Sequence, residues 1–264
     1  MSVLEMEGLT RRFGSLTAVD ALTLSIEAGE VFALLGSNGA GKTVTMKMLT
    51  TLLRPTAGNA RVAGFDVVRH AAEVRRVIGY VPQLVSADGA LTGLENLLIF
   101  AKLYDIPRAE RGERIGEALA FMGLSEVQDK LVREYSGGMI RRLEIAESML
   151  HRPPVLFLDE PTVGLDPAAR DAVWERVADL RDRYGTTIVF TTHLMEEADH
   201  LCTRLAIMRR GRVVVSGRPS ELKAAVGEHA TMDDVFLQYA GSLAESGGTY
   251  RETSRIRRTA RRLD

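Results

Sequence analysis

Residues Gly36-Ser37-Asn38-Gly39-Ala40-Gly41-Lys42-Thr43 fit the pattern G-x-x-x-x-G-K-[ST] and directly follow an unbroken apolar run, Val31 to Leu35. No other stretch narrows the possible folds as much. A buried strand, a glycine loop and a helix start in that order make a cradle for polyphosphate. The glycines let backbone N–H groups converge on phosphate oxygens where a Cβ would clash. The helix N-terminus adds unpaired donors and a positive partial charge. Lys42 can reach the terminal phosphates, and the Thr43 hydroxyl can sit on Mg²⁺. Gly36 to Val44 are therefore the expected phosphate-binding residues.

Other short apolar runs alternate with helical patterns, as in a sheet flanked by helices. Strands are expected at Leu22 to Ile26, Val31 to Leu35, Ile78 to Val81, Val155 to Leu158, Ile188 to Thr191, Leu205 to Met208 and Val213 to Ser216. Hairpin turns are expected at Gly29-Glu30 and Arg210-Gly211. Between Thr92 and Glu134 no strand pattern occurs; Leu94, Leu97, Leu98, Ala101 and Leu103 recur at helical spacing instead. This region reads as a helical insertion, about residues 84–150, within one α/β domain spanning 1–240. Short helices are expected at Pro219 to Val226 and Asp234 to Ala240.

The second chemical signal is Val155-Leu156-Phe157-Leu158-Asp159-Glu160-Pro161, an apolar strand that ends on two carboxylates. Buried acids need a cation or a proton to transfer to offset their desolvation. Asp159 is the expected Mg²⁺ carboxylate, and Glu160 the group that orients and deprotonates an attacking water.

Tyr135-Ser136-Gly137-Gly138-Met139 lies ahead of this acidic strand and opens a second helix on a serine and two glycines, another anion-binding N-terminus. With this motif the chain resembles the ATP-binding subunits of ABC transporters, from residue 3 to about 240. The resemblance implies an α/β fold: a P-loop NTPase core, a mixed sheet flanked by helices, with an inserted helical subdomain and an antiparallel β part. It implies ATP and Mg²⁺ as ligands and a head-to-tail dimer. Each ATP would lie between one chain's phosphate loop and the other's Ser136, Gly137, Gly138 and Met139. Phe13 resembles the aromatic that stacks on adenine. Gln83 resembles the glutamine that senses Mg²⁺ and the γ-phosphate, and His193 the histidine that holds that phosphate. Asp166, in Gly164-Leu165-Asp166, resembles a dimer-contact residue. Ser37 stands where proline is usual and Tyr135 where leucine is usual; neither side chain is needed for phosphate contact.

Taken together, Lys42, Gln83, Glu160 and His193 are the expected catalytic set, and Thr43, Gln83 and Asp159 the expected Mg²⁺ ligands. The partners implied are a separately encoded transmembrane permease and a second ATPase chain, identical or similar, at the cytoplasmic face of a membrane. Leu91-Thr92-Gly93-Leu94-Glu95 resembles the start of the permease-facing region, and Thr92 with Glu95 also forms a plain helix cap. Tyr135 to Met139, Thr162 to Asp166 and Thr231 to Phe236 resemble drug exporters of the daunorubicin-resistance type.

The alternative is an ABC ATPase acting on ribosomes or DNA. Such relatives carry two cassettes or a long coiled coil, whereas this chain shows one cassette and no heptad run. Its 34 basic and 35 acidic residues give a net charge of -1, so nucleic acid is not an expected partner. The apolar runs fall far short of the ~20 residues that cross a bilayer. One cysteine, Cys202, excludes an internal disulfide. From Arg251 to Asp264 six arginines meet two acids, formally +4. This basic tail, 241–264, is open to two readings: a flexible solubilising end or a contact for anionic lipid.

Overall fold

The computed structural model describes residues 1–241, so all but the first residue of the expected basic tail lies outside the described residues. Two sheets share the chain. The larger has six strands in the order β10-β9-β3-β8-β7-β6. These are β3 (Val31–Leu35), β6 (Ile78–Val81), β7 (Val155–Asp159), β8 (Thr187–Thr192), β9 (Arg204–Arg209) and β10 (Arg212–Gly217). All neighbours in it are parallel except β9 and β10. The smaller sheet is antiparallel in the order β2-β1-β4-β5, built from β1 (Ser2–Phe13), β2 (Leu16–Glu27), β4 (Ala57–Val62) and β5 (Phe65–Asp66).

The unbroken apolar runs of the large sheet follow from burial on both faces. Val31, Ala33 and Leu35 join Leu156, Leu158, Ile188, Phe190, Leu205 and Ile207 in one core. The intervening Phe32 and Leu34 join Val155, Phe157, Val189, Ala206 and Met208 in the other. The first core is closed by helices and includes Leu97, Leu119, Ile145 and Trp174. The second takes Met46 and Met48 from α1 (Lys42–Leu49), with Leu4, Met6, Leu9, Leu22 and Ile26 of the antiparallel sheet. Each such side chain contributes about 1.5–3 kcal/mol by leaving water.

Arg210-Gly211 forms the expected hairpin: both residues have positive φ, 49° and 81°, and Arg209 pairs with Arg212. Gly29-Glu30 does not. It turns the chain from β2 into β3, which belong to different sheets. The turn itself is real, with Glu30 N–H donating to the Glu27 carbonyl, but the strands it joins do not pair.

Between β6 and β7 the chain forms α3 (Gly93–Leu103), α4 (Arg108–Phe121) and α5 (Gly137–Met149), with short 3-10 turns before α5. α3 starts on a full capping box between Thr92 and Glu95. Its apolar residues divide between two faces. Leu97 and Ala101 are buried, whereas Leu94, Leu98, Ile99 and Leu103 are exposed, as are Leu84 and Val85 in the loop after β6. The remaining helices are α2 (Ala71–Arg76), α6 (Pro167–Tyr184), α7 (Met195–Leu201), α8 (Pro219–Val226) and α9 (Met232–Ala240). No helix among the described residues is long and apolar enough to cross a membrane.

One buried acid gives the fold a pH dependence. Glu147 on α5 is buried, its Oε1 has no hydrogen-bond partner, and burial, then the neighbouring Glu144, push its carboxyl from 4.5 up to about 8. The folded state therefore holds this proton more tightly than the unfolded chain does. Stability should decline as pH rises from about 4.5 to about 8. Glu147→Gln should remove that slope. Urea melts should show the variant near wild type at pH 5 and about 2–4 kcal/mol more stable at pH 8.5.

Candidate active site

The phosphate loop leaves β3 at Gly36 and enters α1 through Gly41. Gly41 has φ 105°, and a Cβ there would also lie 2.6 Å from the Ala18 carbonyl oxygen. Both facts exclude any other residue at modest cost. A Cβ on Gly36 would meet the Met208 carbonyl oxygen at 2.7 Å. The loop is thus seated on β2 and β9. Asn38 and Gly39 stay exposed, Ser37 and Ala40 are buried, and Val44 is half-buried. Lys42, at the first position of α1, turns back over the loop. Its Nζ donates to the carbonyls of Gly36 at 2.6 Å and Ser37 at 3.3 Å.

Beside it, β7 ends on the two acids. Asp159 Oδ1 accepts from Thr43 Oγ1 at 3.1 Å and from Thr191 Oγ1 at 2.6 Å. Glu160 occupies the left-handed region at φ 48°, a strain of about 1–3 kcal/mol of the kind that collects at functional sites. Its N–H donates to the same Thr191 hydroxyl at 2.8 Å, which fixes the strained turn. Three groups converge on its carboxylate. Lys42 Nζ lies 3.1 Å from Oε1, Gln83 Nε2 donates to Oε2 at 3.1 Å, and His193 Nδ1 lies 3.6 Å from Oε2. The structure therefore brings Lys42, Thr43, Gln83, Asp159, Glu160 and His193 into one group from separate segments of the chain.

Lys42, Asp159 and Glu160 are buried, whereas Gln83 and His193 reach the surface. Burial lowers the Lys42 pKa, against the opposing pull of Glu160. Burial raises that of Asp159, against the hydrogen bonds from Thr191 and Thr43. Asp159 Oδ2 is buried with no hydrogen-bond partner among the described residues. An orphaned carboxylate oxygen next to a threonine hydroxyl suits an oxygen-seeking divalent cation, and Mg²⁺ fits this donor set.

The other sequence candidates lie in different places. Ser136 caps α5, its hydroxyl accepting from Met139 N–H at 3.3 Å. Gly137 and Gly138 are packed against the next loop and helix: a Cβ on them would meet Leu165 at 3.3 Å and Ala169 at 2.8 Å. Asp166 caps α6 by accepting from Ala169 N–H at 2.9 Å. Ser136, Gly137, Gly138, Met139 and Asp166 thus form a second surface and are not members of the Lys42–Glu160 group. Phe13 is half-buried at the end of β1, with the Arg11 guanidinium 4.5 Å from its ring centroid. The unusual Tyr135 serves the local packing. Its hydroxyl donates to the Val127 carbonyl at 2.7 Å, and Gly93 at the start of α3 packs on it.

Two features are not visible in the sequence. Thr191 bridges Asp159 and Glu160. The buried Glu197 carboxylate accepts from Thr162, Thr192 and Trp174, tying the loop after Glu160 to the loop that carries His193. The only sequence signal for either is the Thr191-Thr192 pair ahead of His193.

The chain is similar to known proteins along most of its length. A family model described as ABC transporter matches residues 19–163. The daunorubicin/doxorubicin resistance ATP-binding protein DrrA of Streptomyces peucetius is 46% identical over 86% of this chain and 68% of its own length. The Nod factor export ATP-binding protein I of Ralstonia nicotianae is 44% identical over 83% of this chain and 68% of that protein. A solved structure described as the ATP-binding subunit of an ABC transporter matches with TM-score 0.80 at 28% identity, covering 90% of this chain and 99% of that one.

Proposed function

The chain belongs to the ABC transporter family, and on that premise we infer that it binds and hydrolyses ATP as the motor subunit of an exporter, driving efflux of a drug or antibiotic through a separate permease. The observation that carries this reading is the convergence of Lys42, Gln83 and His193 on Glu160, next to the Asp159–Thr43 pair.

The Glu160 carboxylate is the anion that pairs with Lys42 in the structure, where the γ-phosphate of ATP would bind. ATP entry exchanges partners. Lys42 leaves the Gly36 and Ser37 carbonyls for phosphate oxygens, and Gln83 and His193 turn from Glu160 to the γ-phosphate. Glu160 is thereby freed to take a proton from the attacking water. The water oxygen bonds to the γ-phosphorus, the bond to the β-phosphate bridging oxygen breaks, and ADP leaves with that electron pair. Thr43, Asp159 and Gln83 would hold Mg²⁺, which supplies charge neutralisation to the phosphates when bound. The loop amides and Lys42 neutralise the rest. Phe13 stacks on the adenine from the end of β1.

The two phosphate-suited helix starts, at Lys42 and at Ser136, complete each other between two chains in a homodimer or a pair of similar ATPases. Asp166 lies at the same surface. Residues 1–240 act as one ATPase domain, with 84–150 as a helical subdomain. The exposed Leu84, Val85, Leu94, Leu98 and Leu103 are the permease-docking face. They hold the chain at the cytoplasmic side of a membrane.

A membrane pull-down tests the reading. The wild-type chain should be recovered with a multispan protein. Leu84→Asp with Leu98→Asp should lose that protein while still binding ATP, since both side chains are exposed. Recovery of ribosomes in place of a multispan protein would overturn the transporter reading.

A further inference from the structure

Among the described residues, the loop from Pro82 to Ala87 forms no backbone-to-backbone hydrogen bond. Leu84 and Val85 in it are 81% and 61% exposed. Yet this loop has to aim Gln83 at Glu160. Two buried side chains of α5 hold it. The Arg141 guanidinium donates to the Pro82 carbonyl at 2.8 Å and to the Gln83 carbonyl at 3.1 Å. Glu144 Oε1 accepts from Ser86 N–H at 2.5 Å and from its hydroxyl at 3.0 Å. Arg141 Nη1 and Glu144 Oε2 lie 3.0 Å apart, an ion pair without hydrogen-bond alignment.

Neither residue is needed to make α5 a helix, and burying both charges is costly unless they are fully used. Here they are used on the loop. Glu144 leans three residues along the helix to Arg141 and grips the far end of the loop, while Arg141 grips the near end. We propose that Arg141 and Glu144 are positioning residues that clasp the Gln83 loop to α5 and so keep Gln83 aimed at Glu160. This rests on the ATPase reading above.

The test uses the full chain with Arg141→Met and Glu144→Leu together, because apolar residues of similar volume often replace a buried ion pair without loss of fold. Affinity for an ATP analogue should stay within about twofold of wild type, because the phosphate loop is untouched. Steady-state kcat should fall about tenfold with KM within about twofold, because only assembly of the reacting pair is impaired. Arg141→Lys, which keeps the ion pair and one carbonyl contact, should give an intermediate kcat. A purely structural role would lower melting temperature and analogue affinity together, and that result would overturn the clasp.

Should the double variant not fold, Ser86→Pro removes both loop donors from an exposed position and should give the same split. A folded variant with kcat within about twofold of wild type also overturns the clasp. Failure of the ATPase reading looks different: the wild-type chain itself would not hydrolyse ATP.

Discussion

Glu160→Gln should bind ATP at least as tightly as the wild-type chain and hydrolyse it about 10²–10⁴ times more slowly, the range for loss of a general base. The geometry gives a reason for each half. Gln keeps the size of Glu and can still face Gln83, but it cannot take a proton from water. The tighter binding comes from Lys42. Its ammonium is buried and pairs with Glu160 at 3.1 Å. A γ-phosphate must displace that carboxylate to reach Lys42. With a neutral amide there, the competitor is gone and Lys42 keeps only the charge of Asp159 nearby until ATP arrives. The apo variant should therefore melt below wild type, and added ATP should raise its melting temperature more than it raises that of wild type. The trapped, ATP-bound species should run as a dimer on size exclusion. Hydrolysis within a few-fold of wild type would remove Glu160 from the proton-transfer role.

How far the sequence can be read depends on whether the signal is local. The phosphate loop and the strand Val31 to Leu35 are legible because a strand buried on both faces is apolar throughout and the loop tolerates only glycine at Gly41. The same holds for Val155 to Asp159 and for the Arg210-Gly211 hairpin. β1 is not legible. Leu4 and Met6 point inward and Glu5 and Glu7 outward, but at Gly8, with φ 57°, the register slips and Leu9 and Thr10 are both buried. That bulge breaks the alternation that marks a strand. β4 (Ala57-Gly58-Asn59-Ala60-Arg61-Val62) is built largely from weak strand formers, and its place comes from pairing with β1. Gly58 there lies so close to the Gly8 carbonyl that no side chain fits.

The site shows the same division. Lys42, Asp159 and Glu160 announce themselves by type and spacing. Gln83 and His193 carry weight only through the resemblance, because a glutamine or histidine after a strand has many uses. Thr191, Glu197, Arg141 and Glu144 act through contacts between segments far apart in sequence, and those contacts exist only once the six-stranded sheet has set its strand order. The apolar spacing of α3 is likewise ambiguous: half of it faces the core, and half is exposed.

Sharing of each active site by two chains is central to this mechanism, and a mixed dimer tests it most directly. One chain carries Lys42→Ala and the other carries Ser136→Arg. Ser136 caps α5 at a surface separate from the Lys42–Glu160 group, so the two lesions meet in one site only if that site is built from two chains. The second site then joins an intact Lys42 to an intact Ser136. Arginine is chosen for bulk and positive charge at the helix start, since alanine would leave the Gly137 and Gly138 amides free to bind phosphate. Occluded nucleotide is the readout, because it reports closure of a single site without the product release that turnover adds. The expected result is one occluded ATP per verified mixed dimer, against two in the wild-type dimer and none when both chains carry Lys42→Ala. No occluded ATP in the mixed dimer, under conditions where the wild-type dimer occludes it, would contradict the shared site and leave each chain with a site of its own.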